Sequence, residues 1–348
     1  MGRFRCGLVV GKFSPLHRGH ELLVRTALEC CDQVIVLSYS NPELPGCEAW
    51  QRERWLRELF PRACVVVATG ASLRPGTHDE FTTVPPNDAP ESVHRDFCAF
   101  LCETRCESRV DAVFTSEDYG QGFAEHLTRR FRKRNAAAPA VTHVMVDRER
   151  ISVPISGTRI RADVHAHRAW LSPCVYATFV KRICVLGGES SGKSTLARAL
   201  AERLQTTFAT EYGRELWEAK GGQLAYDDLL AIARRQVELE ESAARHAHRY
   251  LFCDTSPLTT LFYSLEMFGR AEPALEALSH RPYDLQVLCA PDFEFVQDGT
   301  RRDAAFRQRQ HEWYLENLRR RGLPFVLAAG TLEARMDRIA SQLNNLQP

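Results

Sequence analysis

Residues 182–195 read RICVLGGESSGKST, and they restrict the fold of this chain more than any other stretch. A short apolar run (Ile183, Val185, Leu186) leads into a glycine-rich turn, which opens a segment rich in alanine and leucine. Gly187-x4-Gly192-Lys193-Ser194 meets the P-loop spacing GxxxxGK[ST] at every position. Glycines let the backbone bend tightly enough for successive N–H groups to face phosphate oxygens. Lys193 adds a mobile charge for the β- and γ-phosphates, and the Ser194 hydroxyl is placed to ligate Mg²⁺. A functionless glycine turn would need neither the strand before it nor the helix after it. Gly187, Gly188, Glu189, Ser190, Ser191, Gly192, Lys193, Ser194 and Thr195 are therefore expected to cradle ATP. The cradle begins halfway along 348 residues, which leaves room before it for a second domain.

Composition narrows the class of protein. A net charge of +1 offers no field for nucleic acid or an anionic membrane, so the basic run at 129–134 reads as a solvated helix face. No apolar run approaches the ~20 residues of a membrane span, and the N-terminus lacks a signal-peptide pattern. The expected partners are small molecules, with neither nucleic acid nor membrane; a homo-oligomer is left open. Twelve cysteines are scattered through apolar contexts, and beside a P-loop they point to reduced thiols in a cytoplasmic enzyme. Cys98, Cys102 and Cys106 recur on one expected helix face. With no CxxC or histidine ladder beside them, they read as core rather than as a metal site.

The first half alternates strands and helices. CGLVVG at 6–11 has the apolar run of a buried parallel strand, and further strands are expected at 34–38, 63–68, 112–115 and 141–146. Helices are expected at 21–31, 48–59, 92–106 and 121–134, while the polar, proline-dotted stretch 70–92 reads as a functional loop. Such alternation implies an α/β fold with a parallel sheet, whose ligands sit at the carboxyl ends of the strands. His17 and His20 of HRGH lie just past the first strand, at a helix start that favours anions. A second such helix start is expected in ISGTRIR (155–161), where Ser156 and Thr158 stand before Arg159 and Arg161.

GKFSPLHRGH and ISGTRIR together resemble the (H/T)xGH and ISxTxxR signatures of the nucleotidyltransferase superfamily. The resemblance implies adenylyl transfer from ATP by direct attack on the α-phosphate, with release of pyrophosphate. It gives His17 and His20 the stabilisation of the transferring group, and Lys12, Arg159 and Arg161 the triphosphate. It also places Gly11, Phe13, Ser156, Thr158, Ser116 and Glu117 around ATP.

Beyond the P-loop, an apolar strand ending at Asp254 has the Walker-B arrangement, which puts this acid near Mg²⁺ or an acceptor hydroxyl. The polar stretch 298–303 suits a lid, with Arg301 positioned to reach the transferring phosphoryl group. GGESSGKST, TEYGRE, DTSPLTT and DFEFVQDGTR resemble the kinase half of NadR-type enzymes, which are bifunctional nicotinamide-nucleotide adenylyltransferases and ribosylnicotinamide kinases. That resemblance covers nearly the whole chain, and it implies nicotinamide riboside, its mononucleotide, ATP and NAD as ligands, with Mg²⁺ as cofactor. Glu211, Tyr212 and Arg214 are then expected at the kinase substrate. Enzymes of this type commonly stack nicotinamide on a tryptophan in the middle of the transferase domain. None occurs here between Trp55 and Trp170, so His94 or Phe97, following Asn87, is expected to stack instead.

The expected layout is a Rossmann-like nucleotidyltransferase domain at 1–170, a packed connector at 171–181 and a P-loop kinase domain at 182–348. The chain starts at the first transferase strand, without the helix-turn-helix that some members carry, so no repressor role is expected. A coenzyme A synthase is the nearest rival, since it too joins an (H/T)xGH adenylyltransferase to a P-loop kinase. A nucleotide-sensing regulator with an inactive transferase half is a second rival.

Overall fold

The computed structural model describes residues 4–73, 81–106, 109–149, 151–295 and 302–346. Five strands build the first sheet: β1 Phe4–Gly11, β2 Cys31–Ser38, β3 Cys64–Val67, β4 Ala112–Thr115 and β5 Thr142–Met145. Every pair is parallel, in the order β3-β2-β1-β4-β5. The connections run outward from β1 in one direction and then return to its other side at β4, so a crevice opens beyond the carboxyl ends of β1 and β4. Helices Arg18–Cys30, Ala49–Leu59, Glu91–Arg105 and Tyr119–Arg134 connect these strands. Leu8, Ile35, Leu37, Val113 and Phe97 pack into one core with Cys98 and Cys102, the thiols read as core from their spacing. Cys64, in contrast, is exposed.

The second strand departs from the sequence reading. It begins at Cys31, directly where the preceding helix stops, and not at 34, so Asp32 and Gln33 are strand residues. Both are exposed, which gives them a loop-like polarity, yet Gln33 pairs with Cys6 in the ladder.

The second sheet contains β6 Lys181–Gly187, β7 Thr207–Ala209, β8 Tyr250–Asp254, β9 Leu285–Cys289 and β10 Phe325–Ala328. Again all pairs are parallel, in the order β10-β9-β6-β8-β7. Strand β6 is central and runs straight into the glycine-rich turn, which the helix Lys193–Arg203 continues. The chain divides into two compact units, Met1–Thr178 and Phe179–Pro348.

Residues before that division pack on the first unit. Leu171, Cys174, Val175, Tyr176 and Ala177 are buried. Ser172 Oγ donates to Glu21 Oε1 at 2.6 Å, Arg18 Nη1 donates to Ser172 Oγ at 3.2 Å, and Trp55 Nε1 donates to Thr178 Oγ1 at 3.1 Å. The two bonds of Ser172 hold the helix that carries the HRGH motif, and the third holds the helix Ala49–Leu59. Among the described residues no helix is long and apolar enough to cross a membrane.

Candidate active sites

His17 stands immediately before the helix Arg18–Cys30 as its cap. Its Nδ1 accepts the Gly19 N–H at 3.1 Å, and its own backbone N–H reaches His20 Nδ1 at 3.3 Å. With both Nδ1 atoms occupied as acceptors, each neutral ring carries its proton on Nε2. The rings stack at 3.8 Å and 26°, and Phe13 packs its edge on His20 at 4.9 Å. Both rings line a cleft of about 330 Å³.

Lys12, Phe13, Ser156, Thr158 and Arg161 share that cleft with both histidines, and Ser116 and Glu117 close it from the end of β4. Ser156 caps its helix by accepting the Arg159 N–H at 3.3 Å. Arg161 donates from Nη2 to Thr158 Oγ1 at 3.1 Å and from Nη1 to the Ser14 carbonyl, tying the two anion-binding turns together. Beneath them Arg52, wholly buried, donates to Ser38 Oγ at 2.6 Å and Glu43 Oε1 at 2.9 Å, while Ser38 Oγ holds the Lys12 carbonyl at 3.3 Å. Arg159 stands apart from these residues. It is exposed and lines none of the clefts described here, because successive residues of a short helix point to different faces.

A second cleft of about 540 Å³ shares Lys12, His20, Ser116 and Glu117 with the first, and adds Tyr39, Asn87 and His94. Gly11 lies here rather than in the first cleft. Tyr39 and His94 stack at 5.8 Å and 25°, with Tyr39 Oη 3.1 Å from His94 Nδ1. Burial, and secondarily the charge of Lys12, pushes the His94 imidazole below its ordinary range, which favours a neutral ring. Asn87 Nδ2 donates to the Pro42 carbonyl at 2.9 Å and to Ser40 Oγ at 3.2 Å. Phe97 is a correction: it is wholly buried beneath Tyr39, at 5.0 Å, and reaches neither cleft. Tyr39 is the aromatic that the sequence reading missed. It sits one residue past the carboxyl end of β2, where ligands are expected.

In the second unit the glycine-rich turn is braced from three sides. Lys193 Nζ donates to the Gly188 carbonyl at 3.1 Å, Gln310 Oε1 accepts the Glu189 N–H at 2.9 Å, and Arg335 Nη1 donates to the Ser191 carbonyl at 2.9 Å. Gly187 and Gly188 form its base. A Cβ at Gly188 would lie 2.7 Å from the Arg307 carbonyl oxygen, so no other residue fits without a shift of backbone. Residues Ser190 to Thr195 line a cleft of about 340 Å³ with Arg198, Glu211, Arg214 and Asp254.

Asp254 is buried, and Oδ1 has no hydrogen-bond partner among the described residues. Burial holds its carboxyl above the usual range, against the opposing pull of Lys193 and a hydrogen bond with Ser194. Helix Pro257–Phe268 is capped by Ser256, not by Asp254, which leaves this acid without a capping role. An orphaned carboxylate oxygen next to a serine hydroxyl, at the mouth of a phosphate cradle, is a donor set that fits Mg²⁺.

Two further clefts flank the cradle. One, of about 380 Å³, has apolar walls from Trp217, Leu224, Leu229, Ile232 and Met267, with Glu189, Glu211, Arg214 and Tyr263 as polar groups. Tyr263 Oη donates to Glu189 Oε1 at 2.9 Å, and the Arg302 N–H donates to Oε2 at 2.7 Å. Glu211 and Arg214 line both this cleft and the cradle, so they stand at the junction of the two. Burial also pushes the Glu211 carboxyl up, although Lys193 pulls it down. Tyr212 lines none of these clefts, and its backbone N–H donates to Gln236 Oε1 at 3.0 Å. Arg301 lies outside the described residues. The remaining cleft, about 710 Å³, is lined by Phe293, Thr331, Leu332 and Arg335, with the Arg335 guanidinium 5.0 Å from the Phe293 ring centre. Nothing local distinguishes Trp217 and Arg335 in the sequence, and Phe293 stands in DFEFVQDGTR without a role of its own being legible there.

Comparisons with known proteins agree with this two-unit division. Residues 8–163 match the cytidylyltransferase-like family model, and residues 182–335 match an AAA domain model. The trifunctional NAD biosynthesis/regulator protein NadR of Salmonella typhimurium is 30% identical over 312 residues, covering 85% of this chain and 71% of the relative. Its Escherichia coli counterpart is 29% identical over 317 residues, with the same coverage. Among solved structures, a NadR protein in complex with NR shares the fold at a TM-score of 0.70 and 22% identity, over 98% of this chain and 96% of that one. A NadR protein with NAD and AMP-PNP does so at 0.66 and 21%, over 98% of each chain. On the identity and coverage of these relatives, the chain belongs to the NadR family.

Proposed function

We propose that the second unit phosphorylates the 5′-hydroxyl of nicotinamide riboside with ATP, and that the first unit adenylylates the resulting mononucleotide to NAD. The observation that carries this reading is the pairing within each unit. A phosphate-binding cleft adjoins a nucleoside-sized cleft, and shared residues stand between them: Lys12 and His20 in one unit, Glu211 and Arg214 in the other.

In the first unit a 5′-phosphate oxygen of the mononucleotide attacks the α-phosphorus of ATP. The new P–O bond forms as the bridge to the β-phosphate breaks, and pyrophosphate leaves. His17 and His20 direct their Nε2–H donors at the oxygens that gain charge, which is where fixed donors act most strongly. Lys12 and Arg161 hold the triphosphate, with Ser156 and Thr158 at the helix start. Tyr39 and His94 supply the flat surface for a nicotinamide ring, as the sequence reading proposed for His94.

In the second unit the apolar cleft takes the base and ribose, and the cleft at Phe293 and Arg335 takes adenine. Glu211, where the two inner clefts meet, accepts the proton of the 5′-hydroxyl as that oxygen bonds the γ-phosphorus; the bridge to the β-phosphate breaks in the same step and ADP leaves. Ser194 and Asp254 would hold Mg²⁺, which when bound neutralises charge on the β- and γ-phosphate oxygens. Lys193 stabilises the same charge from the protein side.

Product analysis by chromatography tests the reading. Wild-type protein with ATP should convert riboside to mononucleotide and then to NAD, and should leave dephospho-coenzyme A untouched. Lys193→Ala should lose the first step and keep the second, while His20→Ala should accumulate mononucleotide. If supplied mononucleotide and ATP yield no NAD with the wild-type protein, the transferase reading is wrong.

A further inference from the structure

We propose that His143, remote in sequence from every motif above, is a positioning residue for adenylyl transfer, because it pins the turn that walls both clefts of the first unit. This rests on the transferase reading. His143 lies on β5, at the sheet edge, with its Nε2 2.8 Å from Thr115 Oγ1. Thr115 Oγ1 is in turn 2.8 Å from the Glu117 carbonyl. A threonine hydroxyl has one proton, and a carbonyl can only accept. Thr115 therefore donates to Glu117, and His143 donates its Nε2–H to Thr115. The result is a directed relay from imidazole N–H through hydroxyl to carbonyl, in which each bond polarises the next.

Three observations show what the relay holds. Ser116 and Glu117 belong to the lining of both clefts, the only stretch at the end of β4 to do so among the described residues. The Glu117 carbonyl also receives the Gly120 N–H at 3.3 Å, so the relay ends on the group that starts the helix Tyr119–Arg134. A Cβ at Gly120 would overlap both His143 Nε2 and Thr115 Oγ1, so this position has room only for glycine while the ring occupies its place. Thr115 itself is buried, while His143 is half-buried. A substrate-facing turn displaced by even ~1 Å costs heavily in rate or affinity.

The test uses full-length protein and three variants. His143→Leu removes the donor at similar volume, His143→Gln supplies an amide N–H in its place, and Thr115→Val breaks the relay one step later. Thermal melting reports folding of the first unit, and phosphorylation of riboside by the second unit controls for the amount of intact protein. His143→Leu and Thr115→Val should each raise KM for both ATP and mononucleotide about five- to tenfold, the worth of one net hydrogen bond, with kcat within about twofold of wild type. His143→Gln should bring both KM values back towards wild type. Unchanged KM values in both disrupting variants overturn the proposal, as does failure of Gln to rescue. If His143→Leu does not fold, Thr115→Val decides alone. Wild-type protein that forms no NAD refutes the transferase reading, whereas active wild type with indifferent variants refutes only the role of His143.

Discussion

His17 carries two duties that one pair of substitutions separates. Its Nδ1 accepts the Gly19 N–H at 3.1 Å and so caps the helix Arg18–Cys30, while its ring lines the cleft, where the proposed mechanism uses its Nε2–H. His17→Ala loses both. The missing cap should cost about 1 kcal/mol, which in a unit of this size lowers its melting temperature by roughly 2–4 °C. The missing donor should lower kcat for NAD formation about 10²–10³-fold. His17→Asn behaves differently, because asparagine is among the best caps but its short amide cannot reach where Nε2 stands. That variant should melt like wild type and still be about as slow as the alanine variant. Calorimetry and NAD formation from supplied mononucleotide measure the two effects, with riboside phosphorylation as an internal control. An asparagine variant near the wild-type rate would refute the donor role. Alanine and asparagine variants that melt alike would refute the cap.

Three other substitutions probe separate parts of the molecule. Gly188→Ala puts a Cβ against the Arg307 carbonyl and should abolish phosphorylation of riboside while NAD forms normally from mononucleotide; retained phosphorylation would show that the cradle yields at this point. His94→Ala should raise KM for mononucleotide several-fold and spare that for ATP, and an equal rise in both would remove the ring from the Tyr39–His94 surface. Glu240, wholly buried and bonded to Arg281 and Tyr283, has its carboxyl pushed up by burial from 4.5 to about 7. Its contribution to stability is therefore complete below about pH 4.5 and lost as pH rises through 7. Glu240→Gln cannot ionise and should flatten the melting profile by up to about 3 kcal/mol over that window; an unchanged slope between pH 5 and 8 would assign the burden to another group.

Motifs made of neighbouring residues were readable from sequence because their geometry is local. HRGH works through a cap and its first turn, ISGTRIR through a helix start, and the P-loop through successive backbone amides. Each therefore announces itself by spacing. The residues that complete the clefts arrive by topology instead. Arg335 braces Ser191 from 144 residues away, and nothing at position 335 says so. Phe97 and His94 look equivalent on a helix of mixed polarity, yet the core takes Phe97 while His94 remains at the rim. Strand lengths were misjudged where exposed polar positions such as Asp32 and Gln33 sit inside a ladder.

The bonds of Ser172 with Glu21 and Arg18 have a consequence for how the protein is made. They join positions 151 and 154 residues apart, so the helix that carries the two histidines cannot be clamped until the last turn of its own unit has been synthesised. At usual elongation rates the 170 residues that follow Thr178 take on the order of 10–30 s to add. During that interval the adenylyl-transfer site has all its parts, and the phosphorylating site does not yet exist. A nascent chain stalled beyond Thr178 should consequently form NAD from mononucleotide while still tethered to the ribosome, and one stalled before Ser172 should not.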